Sequence, residues 1–295
     1  MPDRHKHSFI TTIAVVWLFA CISSDAIANT FSSIQHSRSV VLEHHAAEVG
    51  LSGMDEAHDP WRLELTAWVW MVSVDGDLGA LGRKADISAS FRDVLRDSDS
   101  LFVFNGRMEL GYERWGFFVD GMFAKLGTDD VPTAPGFPDV DVTYRQTLLD
   151  FGLMYRVAEW SPENVENDLR NATFDLYAGV RYTNLDLELD PTGLPRLRDR
   201  VDWFDPIIGA QLAYPFSRHW HVFVGGDVGG FGINSDYTWK ATALLGYDFR
   251  FFDHRATLSL GYRAIGQDFS RGSGDRLFTW DVVQHGPLIG LSLSF

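Results

Sequence analysis

From Trp61 to Phe295 the chain alternates apolar and polar residues with period two, in segment after segment divided by turn residues. Successive side chains of a strand point to opposite faces, so this pattern builds a sheet with one apolar and one polar face. In 101–112, Phe104, Met108, Leu110 and Tyr112 share a face opposite Asn105, Arg107 and Glu109. In 171–183, Phe174, Leu176, Ala178, Val180 and Tyr182 oppose Asp175, Tyr177, Gly179, Arg181 and Thr183, and 237–251 and 256–267 repeat the arrangement. A soluble sandwich alternates too, but its polar face meets bulk water and rarely carries so much glycine. Here the polar face holds Gly, Asp and Arg, while the apolar face runs long and is rimmed by Trp, Tyr and Phe. Lipid outside and a polar interior require that distribution. An open sheet edge has no hydrogen-bond partner in hydrocarbon, so the sheet must close. The expected fold is all-β, a closed antiparallel transmembrane β-barrel over residues 60–295.

The strand count is open between ten and twelve. Candidate strands are 61–73, 77–90, 101–112, 115–126, 141–157, 171–187, 203–215, 219–232, 236–251, 255–269 and 276–295. Bacterial barrels usually have an even number, with short turns at the periplasmic end. A twelve-stranded scheme splits the last segment at Gly286-Pro287. A ten-stranded scheme keeps 276–295 whole, sets 77–90 outside the wall, and places short turns near Arg114, Ser217 and Asp253 in the periplasm. The alternation of Ala85, Ile87, Ala89 and Phe91 with Asp86, Ser88 and Ser90 tips the reading towards twelve. Phe91-Arg92-Asp93-Val94-Leu95-Arg96-Asp97 reads as a short helical turn that covers a barrel end or docks a partner.

Ahead of the barrel, residues 1–28 have the build of a signal peptide: a basic start at Arg4, His5, Lys6 and His7, an apolar run from Phe9 to Ile22, and small residues Ala26 and Ala28 at a cleavage site. The apolar run is short for a membrane span. The single Cys, Cys21, follows Ala20 in a loose likeness of a lipidation motif; cleavage after Ala28 removes it. Residues 29–59 are polar and without periodicity, a flexible periplasmic lead-in. His36, His44, His45 and His58 lie there in no metal-ligand spacing. A formal net charge of -15 excludes nucleic acid as a partner, since phosphate binding needs a basic footprint. The acidity belongs either to loops and tail or to a lumen that favours cations.

The segments Trp115-Gly116-Phe117-Phe118-Val119-Asp120, Tyr177-Ala178-Gly179-Val180-Arg181-Tyr182, Trp203-Phe204-Asp205-Pro206-Ile207-Ile208-Gly209 and Gly226-Asp227-Val228-Gly229-Gly230-Phe231-Gly232 resemble those of a large group of uncharacterised bacterial outer-membrane β-barrel proteins. The resemblance covers about 61–295. It implies a barrel in the cell outer membrane, in contact with outer-membrane lipid, and it transfers no catalytic residue.

Two sets of residues carry the functional expectations. Ile289, Leu291, Leu293 and Phe295 alternate with Gly290, Ser292 and Ser294, and the final aromatic resembles the signal read by the barrel-assembly machinery. By strand phase, Arg107, Glu109, Asp120, Asp150, Arg156, Asp175, Arg181, Asp205, Asp227, Lys240, Asp248, Arg250 and Arg263 face inward. They form either a structural ladder of ion pairs in a filled barrel or a charged constriction that selects small solutes or ions. The expected function is a narrow channel or a structural envelope protein; the alternatives are a loop-mediated binding protein and a lipid-modifying enzyme. An enzyme is disfavoured. His219 and His221 have no serine two residues on, and His285 is out of phase with Ser292 and Ser294. No cofactor or metal is expected.

Two outcomes follow from the pattern alone. The mature protein is expected to fractionate with the outer membrane and to shift on unheated gels; recovery from soluble periplasm would contradict the barrel. Replacing Leu293 and Phe295 together with Asp, or deleting Phe295, is expected to block assembly, because both side chains face lipid, where charge is costly. Normal insertion of the doubly charged variant would make the terminal pattern incidental.

Overall fold

A computed structural model describes residues 60–80, 83–131, 140–162, 170–191, 196–273 and 277–295. The expected signal segment and lead-in lie outside the described residues, and Cys21, Ala26 and Ala28 with them. The described residues form twelve strands and one short helix: β1 (Trp61–Trp70), β2 (Ser73–Ala80), β3 (Arg83–Ala89), α1 (Phe91–Asp97), β4 (Ser100–Tyr112), β5 (Trp115–Val131), β6 (Val140–Trp160), β7 (Ala172–Pro191), β8 (Leu197–Pro215), β9 (Trp220–Gly229), β10 (Ser235–Phe251), β11 (His254–Arg271) and β12 (Phe278–Ser294). The wall is a closed antiparallel ring of ten strands, β1 followed by β4 to β12, with β12 returning to β1. Closure runs from Glu64 opposite Ser294 to Trp70 opposite Leu288, and the Leu63 and Phe295 backbones exchange hydrogen bonds beyond it. We call the end holding Trp61 and Phe295 the lower end.

The slight preference for twelve wall strands is corrected. β12 runs unbroken through Gly286-Pro287, and the interruption falls in its partner. β1 and β2 are one line of chain along β12 in a single register, Trp70 opposite Leu288 and Ser73 opposite His285, parted at Met71-Val72. The Met71 N–H donates to the Pro287 carbonyl at 2.9 Å, but proline has no N–H to return the bond. β2 then pairs with β3 as a hairpin that extends the sheet on one side of upper β12. The candidate strand 77–90 is thus not one strand: 77–80 ends β2 and 83–89 is β3, both outside the ten-stranded ring, and the short turns at Arg114, Ser217 and Asp253 belong to the lower end.

The outward face gives the position in a bilayer. On β12 it reads Pro287, Ile289, Leu291, Leu293 and Phe295; on β7 it reads Phe174, Leu176, Ala178, Val180 and Tyr182. Each run covers nine residues, the length of a tilted strand crossing hydrocarbon. The lower end wears aromatic pairs on neighbouring strands, Trp61 with Tyr112 at 4.8 Å, Trp115 with Tyr155 at 5.0 Å and Trp220 with Tyr247 at 5.0 Å. These rings form an interfacial girdle. Above the apolar run the outward positions turn charged. Arg145 reaches Glu188 at 3.2 Å, and Arg198 pairs with Asp186. Asp86, Asp77, Asp281 and Asp268 stand directly opposite one another on four adjacent strands. Such a row cannot lie in hydrocarbon, so the sheet stands clear of the bilayer at its upper end.

Inside, the upper half is a packed apolar core. Trp70, Ile87, Ile265 and Leu288 are each at most 2% exposed, and the Trp203 and Phe269 rings stack with centroids 4.0 Å apart. α1 begins with a Ser90–Asp93 capping box; the Phe91 N–H donates to Ser73 Oγ at 3.2 Å, and the Phe91 ring packs on this core. This tethers the helical turn beside the parted β1–β2 line.

Gly286 permits the close approach of Met71 at this point. A Cβ there would sit 1.8 Å from the Met71 carbonyl oxygen, a backbone atom. Gly286→Ala is expected to push β1–β2 off β12 and lower stability by about 1–3 kcal/mol, the usual cost of overpacking, read as the temperature at which the unheated gel form is lost. Gly121→Ala, whose Cβ would meet only the Leu149 side-chain tip at 3.3 Å, is expected to be tolerated. Equal behaviour of the two would contradict the close approach.

Candidate functional site

The charged layer lies inside the middle of the barrel, supplied by the inward positions of neighbouring strands. Arg181 on β7 is its centre and is 0% exposed. Its Nε and one terminal nitrogen donate to the two Asp150 oxygens at 2.9 Å each. Its remaining donors meet Asp227 at 2.9 Å and the Thr238 hydroxyl at 2.9 Å. The planar guanidinium thus meets one carboxylate bidentately and bridges to a second. Lys240 sits among the same acids, 2.6 Å from Asp150 and 3.5 Å from Asp120. Asp120 also receives Arg263 at 3.3 Å and Arg107 at 3.4 Å. From Arg107 the network continues to Glu109 at 2.5 Å, and through Gln211 to Asp175 and Arg156.

Ten of the thirteen expected inward residues join this one network: Arg107, Arg156, Arg181, Lys240 and Arg263 against Glu109, Asp120, Asp150, Asp175 and Asp227. Among these ten, five cations meet five carboxylates, a balanced set, and Arg156 also pairs with the half-exposed Glu159 at 3.2 Å towards the lower end. The acidity of the whole chain does not reside in it. Asp205 is inward and 0% exposed but binds no cation of the layer; it accepts from the Trp203 indole at 3.0 Å and from the backbone N–H and hydroxyl of Ser235. Asp248 belongs to a lower cluster. His221 Nδ1 lies 2.8 Å from it, and the Thr257 hydroxyl donates to it at 2.6 Å. Arg250 is the exception: it keeps the phase but is exposed at the lower end.

Below the network a cavity of about 420 Å³ is lined by Glu64, Glu109, Arg156, Arg170, Asp175 and Arg255, among others. Glu64 takes Arg255 at 3.3 Å and the Ser294 hydroxyl at 3.0 Å, with Arg170 at 3.9 Å. Several of these partners escaped the reading of the sequence. Glu64 was legible, since Glu64, Thr66 and Trp68 alternate on the inward side of β1. Tyr177 was placed inward without a role, and its hydroxyl donates to Asp227 at 3.0 Å; its ring lies where Gly209 has no side chain, 2.4 Å from a Cβ there. Arg170 precedes β7, outside any alternating run, and carried no signal.

His285 has partners that only the sheet brings near. On the outward face above the apolar run, its Nε2 lies 2.8 Å from Asp75 and its Nδ1 lies 2.5 Å from the Tyr262 hydroxyl, while Ser88 donates to Asp75 at 2.6 Å. Ser292 and Ser294 face the interior instead, bonded to Thr66 and Glu64. Among the described residues no group of three or more His, Cys, Asp or Glu side chains is placed to hold a metal ion.

No protein-family model matches the chain, and no curated protein matches it either. Among solved structures it is similar to Ail, the attachment invasion locus protein of Yersinia pestis, solved with the heparin analogue sucrose octasulfate: TM-score 0.38, 9% identity, 81% of this chain and 100% of that one. It is also similar to a Pseudomonas aeruginosa FadL homologue, with TM-score 0.29, 10% identity and 80% and 90% covered. The translocator domain of autotransporter NalP from Neisseria meningitidis gives TM-score 0.28, 12% identity and 96% and 98% covered. These likenesses are too slight to carry a residue role across, and the barrel rests on this chain's own strand ladders.

Proposed function

We propose that this protein is an outer-membrane barrel that seals rather than conducts, a structural element of the envelope braced from within by a neutral ion-pair core. The observation that carries the reading is Arg181, fully buried and held by two carboxylates and a hydroxyl across the lumen. A conducting pore would need water along its whole length. Here the apolar core fills the upper half, charged side chains pair with one another in the middle around a small cavity of about 60 Å³, and the larger 420 Å³ cavity occupies the lower end. A layer of five cations and five carboxylates also offers no bias to ions of either sign, which weakens the narrow-channel alternative. Export through a signal segment and insertion by the barrel-assembly machinery belong to the same proposal, as do outer-membrane lipid as the surroundings and the absence of catalysis.

A second reading, binding of a partner at the upper end, is favoured by one observation. Strands β6 to β8 rise past Tyr182 with outward pairs such as Arg145–Glu188 and Arg196–Asp190, the latter at 2.8 Å, so their upper ends stand above the bilayer and offer a charged surface.

Arg181→Ala tests the primary reading. Removing one member of a buried ion pair strands the other, at about 3–5 kcal/mol, so the variant is expected to lose its heat-resistant gel form at a markedly lower temperature. A water-filled lumen would hold the loss to about 0–1 kcal/mol; near-normal stability with altered ion selectivity would overturn the proposal.

A further inference from the structure

The ladder between β1 and β4 stops partway up the wall. It pairs Trp61–Ala67 with Tyr112–Gly106 and goes no further. Above that rung the β1–β2 line turns to β3, and among the described residues no ladder joins β3 to β4. The chain segments 68–72 and 100–105 therefore flank a parting of the sheet. Its outward rims are apolar, with Val69 and Met71 on one side and the exposed rings of Phe102 and Phe104 on the other; Phe104 stands opposite Phe123 and Phe102 opposite Lys125, so the parting opens at the upper margin of the hydrocarbon. Ala67–Gly106 closes it below, and the Phe91–Ser73 hydrogen bond bounds it above.

At the first unpaired rung stand Trp68 and Asn105, which the register of the rungs below would set opposite each other. Both point inward and are buried, at 7% and 1% exposure. Neither amide atom of Asn105 has a hydrogen-bond partner, and neither does the Trp68 indole nitrogen. Native interiors rarely leave such groups unsatisfied, and each instance calls for a reason. Here two donor atoms and one acceptor are left unsatisfied on the first unpaired rung, where the wall parts.

We propose that this parting is a lateral binding site for a single-chain amphiphile with a small uncharged head, such as a long-chain alcohol or a protonated fatty acid. The head meets Asn105 and Trp68, and the chain lies between the Phe102–Phe104 and Val69–Met71 rims. An uncharged head fits the local electrostatics. The nearest cations are already taken, Arg107 by Glu109 and Asp120, and Arg263, 5.5 Å from the Trp68 ring, by Asp120. A hydroxyl or carboxyl both donates and accepts, matching the unsatisfied set. The site requires a barrel standing in a bilayer but not a sealed lumen.

The test uses the mature protein in lipid nanodiscs titrated with 11-bromoundecan-1-ol, a tryptophan quencher. A saturable component of quenching is expected, displaced by undecan-1-ol and not by undecane-1-sulfonate. Asn105→Leu is expected to weaken it at least tenfold while raising heat stability, since the variant also removes an orphaned polar group. Trp68→Phe, which keeps an aromatic ring, is expected to abolish the saturable component by removing the reporter. Purely linear quenching in the wild type, equal displacement by the sulfonate, or survival of the saturable component in Trp68→Phe would each overturn the proposal.

Discussion

Every backbone amide and carbonyl at bilayer depth has to find its partner inside the protein, because hydrocarbon supplies none. The rest of the molecule follows from how the ten-stranded ring meets that demand. β12 closes on β1 through rungs from Glu64–Ser294 to Trp70–Leu288. Once closed, a ring of this size has a narrow lumen, near the width that side chains alone can fill. The inward residues then have to satisfy one another. The tilt of the strands brings Asp150 and Arg181 of the β6–β7 pair and Asp227 and Lys240 of the β9–β10 pair into a single hydrogen-bonded group.

A buried charge is tolerable only when it is paired and its remaining hydrogen-bond capacity is used. The Arg181 guanidinium meets that condition with donations to Asp150, Asp227 and Thr238. Glycine makes room for the bulky members: Tyr177 lies over Gly209, and the His221 ring lies 2.2 Å from where a Gly246 Cβ would be. The interior is thus graded along the barrel axis, from an apolar upper half, through a neutral charged layer, to a polar cavity that opens below. The wall is least complete where β1–β2 leaves β4, and the unsatisfied Asn105 and Trp68 mark that place.

Much of this was legible in the residues because strand phase is a local property. The alternation on β7 and β10 assigned Arg181 and Lys240 to the interior, and it set Leu176 and Leu245 towards lipid. Phase alone could not foresee which inward acid meets which inward base: Arg181 stands in register between Asp150 on β6 and Asp205 on β8, binds the first but not the second, and reaches Asp227 on β9. It also could not reveal that Gly286-Pro287 interrupts its neighbour rather than its own strand, because the effect passes through a missing N–H on one chain segment to Met71 on another. Arg250 kept the right phase and fell outside the barrel interior, since phase carries no information about height along the axis. Arg170 and the Asp75–His285–Tyr262 chain depend wholly on tertiary pairing across the closed sheet.

The central claim, a lumen sealed by mutually satisfied side chains, is tested most directly by the ion conductance of the purified wild-type protein in a planar bilayer. The account predicts a membrane current indistinguishable from the protein-free baseline in potassium chloride. Stable ohmic steps, with a preference for cations or anions, would contradict it.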